Sequence, residues 1–300
     1  MALDFSECEL FTFRHDVYPL IDPQPAFASQ SYKGQVVIVT GGSSGIGFAT
    51  ALMYARAGAR IVINARNASK LEVKKAEIQD KVTGAEVVAV SGDVSEVEVG
   101  KKIVKAAVDA WGRVDIVIAN SAVLMGGARF HELDAVKWWY SQEVNVRGVL
   151  NVIHAAIPEL LKTKGQIIVS TSDLAHARIP LLADMSISKH TTNRFVEILA
   201  LDYASQITLY SVHPGEIMTE GADIVQTGLG IKGQVPMPDT VELPAATYLW
   251  LTGRNAEFLN GRYVQATWDL GEVLAKKEEI VKENLLVTKL AGPNLKPKSV

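Results

Sequence analysis

The chain has 300 residues, 48% of them hydrophobic, with a formal net charge of −3. That apolar content can fill one large core, and the acidic balance leaves no basic footprint for nucleic acid. Cys8 is the only cysteine, which excludes a disulfide framework within the chain, and no apolar run approaches the length of a membrane span. Residues 1–34 come first. Asp4, Glu7, Glu9 and Asp16 stand where a secretory leader is basic and then apolar, so a reducing, cytoplasmic setting is expected. Pro19, Pro23 and Pro25 argue against helix here. Phe5, Leu10, Phe11, Phe13 and Phe27 argue against disorder. The expectation is an extended arm packed on the domain or on a neighbouring subunit.

An apolar run, Val36–Val39, then leads into Thr40-Gly41-Gly42-Ser43-Ser44-Gly45-Ile46-Gly47, and an alanine-rich helical pattern follows over 46–57. Strand, glycine turn and helix in that order make a phosphate cradle. Gly41 permits the tight turn, Gly45 lets the backbone approach a pyrophosphate, and Gly47 lets the helix pack on the sheet. The helix N-terminus then faces the phosphates with free N–H groups. An ordinary glycine turn is the plainer reading, and the flanking strand and helix weigh against it. The spacing T-G-x-x-x-G-x-G resembles the short-chain dehydrogenase/reductase family, which places Ser43, Ser44 and Ile46 at the cofactor together with the three glycines.

Further strands are read at 60–63, 86–90, 114–119, 166–170, 207–212 and 262–264. Helical patterns lie between them at 68–82, 95–111, 135–163 and 185–204, with another at 242–251. This alternation predicts an α/β fold, a single Rossmann-type doubly wound parallel sheet with helices on both faces, spanning 35–270. Ligand is expected at the carboxyl ends of the strands. The second strand ends Ala65-Arg66-Asn67, with no acid to accept from the ribose hydroxyls of NAD. Arg66 offers a guanidinium for a 2′-phosphate instead, so NADP(H) is the expected cofactor; a solvent-facing arginine is the bland alternative. The resemblance gives Asp93, at the third strand end, to the adenine amino group, although it could equally cap the helix near Ser95. Asn120 matches the second asparagine of the family's Asn-Asn-Ala-Gly, the first being Ala119 here.

Four positions carry the chemistry in the resembling family. Asn145 fits the asparagine whose carbonyl holds a relay water, Ser172 the serine that hydrogen-bonds the substrate oxygen, and Lys189 the lysine that contacts the nicotinamide ribose. The family's tyrosine should stand thirteen residues after the serine. Position 185 is methionine. The missing phenol is the general acid or base of carbonyl reduction, a contribution of about 10²–10⁴-fold in rate. Asp173, His176 and Asp184 are the nearest substitutes in sequence, with His176 the most natural donor near neutrality. Met185 itself suits a greasy pocket.

The segment His213-Pro214-Gly215-Glu216-Ile217-Met218-Thr219 resembles the family's Pro-Gly-x-x-x-Thr. The resemblance puts Pro214 and Gly215 at the cofactor, the Ile217 backbone on the carboxamide and the Thr219 hydroxyl on the phosphates. Residues 216–238 read as a lid, with an apolar underside from Met218, Ile224, Val225, Leu229 and Ile231. Residues 271–300 form a tail, amphipathic over 273–286 and read first as a solvated helix. No metal cluster is read. The resemblance further implies a homodimer or homotetramer built on the helices at 135–163 and 185–204. The expected function is an NADP(H)-dependent oxidoreductase of an apolar carbonyl, alcohol or imine, with a fungal flavour at 261–270 that suggests secondary metabolism. A non-redox catalyst (isomerase, cyclase or pericyclic enzyme) and an inactive NADP-binding subunit are the alternatives.

Overall fold

Seven runs rich in valine and isoleucine form the strands: β1 (Val36–Thr40), β2 (Arg60–Ala65), β3 (Val87–Ser91), β4 (Ile116–Ala119), β5 (Gln166–Ser170), β6 (Thr208–His213) and β7 (Arg262–Gln265). They make one sheet in the order β3-β2-β1-β4-β5-β6-β7, every neighbouring pair parallel. The computed structural model describes residues 8–228, 230 and 232–290, without the side chains of Ile224 and Val225. β1, β4, β5 and β6 are buried along their whole length, because helices cover both faces and leave no side to water. Val37 pairs with Ile61 of β2 on one side and Ile116 of β4 on the other. The chain therefore winds outward in two directions from β1, and a crevice opens where β1 and β4 part.

The prolines before the sheet do not exclude helix. Pro19 opens a short 3₁₀ turn (Pro19–Ile21), and Pro25 sits in the first turn of α1 (Gln24–Ser29). A first-turn N–H has no intrahelical partner to lose, so proline is tolerated there. Residues 8–18 lie against the sheet domain of their own chain, with bends and one isolated bridge. Phe13 bridges Trp268, Arg14 N–H donates to Thr267 O, and Arg14 pairs with Asp269.

On one face α2 (Gly45–Arg56) and α3 (Ala68–Lys81) pack under β1 and β2. On the other lie α4 (Val97–Trp111), α5 (Ala135–Gln142), α6 (Gly148–Thr163) and α7 (Ala183–Asp202). The pattern at 135–163 is helical throughout but not uniform: Glu143–Arg147 widens into a π-helical turn between α5 and α6. Such turns recur at functional sites, and this one carries Asn145. The lid segment contains α8 (Glu220–Gly228), and α9 (Glu242–Trp250) returns to the core. Of the apolar underside expected for the lid, only Met218 lies among the described side chains, and it is 44% exposed. The tail is corrected too. It forms two short helices, α10 (Leu270–Ala275) and α11 (Lys277–Lys282), which bury Val273 and Ile280 against the domain. Among the described residues no helix is long and apolar enough to cross a membrane.

Candidate active site

The crevice at the strand ends is a cleft of 710 Å³. Its floor is the glycine turn. Gly41 and Gly45 take φ of +69° and +50°, conformations that side chains disfavour. A Cβ on Gly47 would lie 2.3 Å from Gly41 O, so only glycine lets α2 seat on the loop. Gly47 thus acts from behind, while Gly41, Ser43, Ser44, Gly45 and Ile46 line the cleft. No side chain caps the first turn of α2, whose N–H groups are left facing the opening. That donor set, with a backbone no Cβ obstructs, fits the pyrophosphate of a dinucleotide. Thr219, at the root of the lid, packs against Gly45, so loop and lid meet at the same point.

The β2 and β3 ends form one wall. Arg66 and Asp93 both line the cleft, and Tyr140 of α5 joins them: Arg66 Nη1 donates to the Tyr140 hydroxyl at 2.9 Å, which in turn donates to Asp93. The other Asp93 oxygen accepts from Ser95 N–H at 2.9 Å, which braces the turn before α4; the helix itself starts after Glu96 with no side-chain cap, so Asp93 does not cap it. Burial alone would raise the Asp93 pKa, but the bonds from Tyr140 and Ser95 outweigh it and hold the carboxyl below its usual range. Asn120 ties strands: its backbone N–H donates to Thr40 Oγ1 and its amide to Thr40 O, joining the ends of β4 and β1. Over the rim, Lys70 of α3 pairs with Glu220 of α8.

Ser172, Met185 and Lys189 come together at the far end of the cleft, with Pro214, Gly215 and Ile217 beside them. Lys189 is buried, donates to Ser170 O at 2.7 Å, and has its pKa lowered to about 8 by burial. Asn145 does not reach the cleft. Wholly buried in the π-helical turn, it accepts from Val123 N–H and donates to Val123 O and Ser188 Oγ. Among the described residues none lining the cleft is a tyrosine, Tyr140 standing behind the Arg66–Asp93 wall.

Two of the three expected substitutes fall away. His176 points to the opposite side, against Asn193 at 3.1 Å and the edge of the Tyr263 ring. Asp184 is fully buried and holds Met125 N–H at 2.6 Å. Asp173 remains: its Oδ1 accepts from Ser172 Oγ at 3.0 Å. Two residues that the sequence did not single out join it. His213 Nδ1 accepts from Asp173 N–H at 3.2 Å, and its Nε2 lies 4.0 Å from Oε1 of Glu216, which lines the cleft. Burial, with Asp173 and Asp239 nearby, pushes the Glu216 pKa up. Asp239 also fixes the turn itself, accepting from Glu216 N–H at 2.6 Å while its other oxygen meets His15 of the arm.

Residues 35–228 match the family model described as short chain dehydrogenase. The chain belongs to the short-chain dehydrogenase family. It is 31% identical over 287 residues to the short chain dehydrogenase pigC of Monascus ruber, covering 93% of this chain and 92% of that one. The short chain dehydrogenase andI of Emericella variicolor is 31% identical over 274 residues, 88% of this chain and 92% of its own. Among solved structures, levodione reductase superposes with a TM-score of 0.74 at 21% identity, covering 80% of this chain and 99% of that one. A dehydrogenase/reductase from Sinorhizobium meliloti gives 0.70 at 28% identity, over 81% and 97%. Short-chain dehydrogenases use nicotinamide nucleotides, and the cleft here has the cradle for one.

Proposed function

We propose that this short-chain dehydrogenase is an NADP(H)-dependent, cytoplasmic oxidoreductase of an apolar small molecule bearing a carbonyl, alcohol or imine, working in fungal secondary metabolism as a homo-oligomer. Arg66 carries the reading. β2 ends on the rim of the cleft with a guanidinium and no acid, and a 2′-phosphate is the anion that such a group pairs with. In the proposed roles, the glycine turn and Thr219 hold the pyrophosphate, Asp93 and Asn120 border the adenosine, and Lys189 with Pro214, Gly215 and Ile217 orients the nicotinamide end. The bound nucleotide supplies or accepts hydride. Ser172 holds the substrate oxygen, and Asn145 steadies the wall behind Lys189. Relatives in fungi, together with Met185 in the cleft, support an apolar substrate of specialised metabolism.

Calorimetry with NADPH and NADH tests this directly. Native protein should prefer NADPH. Arg66→Ala should weaken NADPH about 10–100-fold, as expected for the loss of charged hydrogen bonds of ~1.5–3 kcal/mol, and leave NADH within about twofold. Equal affinity for both nucleotides in the native chain would remove the NADP assignment. Binding of neither would leave a cofactor-free catalyst. Met185 favours one second reading: without the phenol, the pocket could serve a non-redox isomerase, cyclase or pericyclic enzyme, or an inactive NADP-binding subunit. Product formed without NADPH consumption would select the first of these, and a stable partner without turnover the last.

A further inference from the structure

The proton is the missing part of the machinery, and two acids stand beside the serine: Glu216, which lines the cleft, and Asp173, buried behind it. We infer that Ser172, backed by the carboxyl pair Asp173 and Glu216, delivers the proton to the substrate oxygen in place of a tyrosine. This rests on the reductase reading above and assigns its acid. The Ser172 hydroxyl donates to Asp173 Oδ1 at 3.0 Å and accepts from Leu174 N–H at 3.2 Å, so it is already wired to a carboxyl. Carboxylate oxygens of Asp173 and Glu216 and a ring nitrogen of His213 all lie within 4.8 Å of one another. Burial, with the neighbouring Asp173 and Asp239 carboxyls, raises the Glu216 pKa, so Glu216 holds a proton to higher pH than an ordinary glutamate. Glu216 is the member of the pair that lines the cleft, so it exchanges protons with the solvent there; Asp173 is the buried one that hands them on.

His213 positions the pair. Its Nδ1 accepts the Asp173 backbone N–H, which places the proton of the neutral ring on Nε2, facing Glu216 Oε1 at 4.0 Å. The two carboxyls thus address opposite ring nitrogens, Asp173 Oδ1 lying 3.9 Å from Nδ1. That arrangement suits shared protons rather than three ligands around one ion. Gaps near 4 Å are ordinary for catalytic contacts before substrate binds. The charged and titratable groups facing Glu216 are His213, Asp173, Asp239 with its partner His15, and the Tyr263 phenol; Lys189 lines the same cleft.

The step balances. Hydride adds to the carbonyl carbon, the C=O π pair moves to oxygen, and that oxygen takes the Ser172 Oγ proton. Ser172 takes the Asp173 proton, Asp173 is reprotonated from Glu216, and Glu216 from water. NADPH is oxidised to NADP⁺ and the carbonyl reduced to the alcohol. Lys189, buried and bonded to the Ser170 carbonyl, is the rival acid.

Two readouts test the assignment. In nucleotide-free protein carrying ¹³C-carboxyl glutamate, one resonance should titrate above the usual glutamate range and vanish in Glu216→Gln; a Glu216 that titrates with the surface glutamates overturns the proposal. The second readout is NADPH oxidation with phenanthrenequinone, an apolar diketone, measured across pH. Glu216→Gln should lower kcat about 10²-fold with unchanged NADPH affinity, and should remove the alkaline limb set by the raised Glu216 carboxyl. Met185→Tyr combined with Glu216→Gln should regain the rate, since the phenol bypasses the pair. A merely structural Glu216 would not be rescued this way, and a double variant as slow as the single one overturns the proposal. So does an unchanged rate and pH profile in Glu216→Gln, which would give the proton to Lys189. A native chain that binds NADPH but stays inert while Met185→Tyr turns over also overturns it. Failure to bind NADPH at all is the separate failure of the reductase reading.

Discussion

Arg66 acts through a neighbour. Its guanidinium is exposed, and a long exposed side chain must lose rotamer freedom to hold a phosphate in place. Tyr140 offsets that loss, because its hydroxyl receives the Arg66 N–H and is itself anchored on Asp93. Removing the hydroxyl in Tyr140→Phe keeps the ring and frees the arginine. NADPH affinity should then fall about 2–10-fold, the effect of one net hydrogen bond of ~0.5–1.5 kcal/mol, while NADH binding changes less. Calorimetry on both nucleotides checks this, and an unchanged NADPH-to-NADH ratio would make Tyr140 a packing residue only. The place of Arg66 on the cleft rim was legible in the sequence because it directly follows the second strand. Tyr140 was not, since it arrives from a helix 74 residues later and nothing in the local pattern says where that helix crosses. Glu216 and His213 were hidden for the same reason: they lay inside a recognised motif, but only the packing of β5 against β6 sets them beside Asp173. His176 was misjudged in the opposite sense: expected as the most natural proton donor, its ring faces Asn193 and Tyr263 instead.

At the scale of elements, the glycine turn and α2 form one unit, and Gly47 is its fulcrum. A methyl there would meet the Gly41 carbonyl at 2.3 Å and the Asn120 amide at 2.8 Å. Neither can yield cheaply, because one is backbone and the other ties β4 to β1. Gly47→Ala should therefore tilt α2 away, destabilise the fold by about 1–3 kcal/mol and abolish NADPH binding. Gly84→Ala is the contrast. Its φ of +78° also disfavours a side chain, but nothing lies within 4 Å. It should cost only about 1–2 kcal/mol of backbone strain and leave binding intact. Thermal unfolding with and without NADPH separates the two, and equal binding losses would show that strain rather than contact governs the loop. The strands were read to within a few residues because valine and isoleucine runs buried on both faces have no competing pattern. What escaped were features with no period of their own. The π-helical turn at 143–147 keeps the apolar spacing of its helix, the helix at 24–29 starts on prolines that count only against helix interiors, and the tail breaks at Lys276 with no proline or glycine to mark it.

On the scale of the whole molecule, exposed apolar residues recur along three neighbouring helices, α5, α6 and α7. Val136 and Trp139 of α5 are 80% and 59% exposed, and Leu150 of α6 is uncovered with them. On α7, Ile187, Ile198 and Leu201 stand out at intervals of 11 and 3, close to whole turns, so they share a face. The sheet cannot account for them, because the core is filled from the other side of α7 by Val196 and Ala200. Scattered exposed leucines need no explanation, whereas a stripe recurring along one helix, with more apolar residues on two neighbouring helices, is the surface on which the proposed homo-oligomer would assemble. A second copy is the partner that places like against like across a two-fold axis. Sedimentation of the native chain should accordingly give a multiple of 32.5 kDa. Ile198→Glu with Leu201→Glu should return it to the monomer, since two carboxylates facing their symmetry mates repel while losing the apolar contact. The cleft lies at the strand ends and not on this face, so the monomeric variant should still bind NADPH, which separates lost assembly from lost folding. A native chain that sediments as a monomer at tens of micromolar would show that α5, α6 and α7 face water, and the stripe would then need a different occupant.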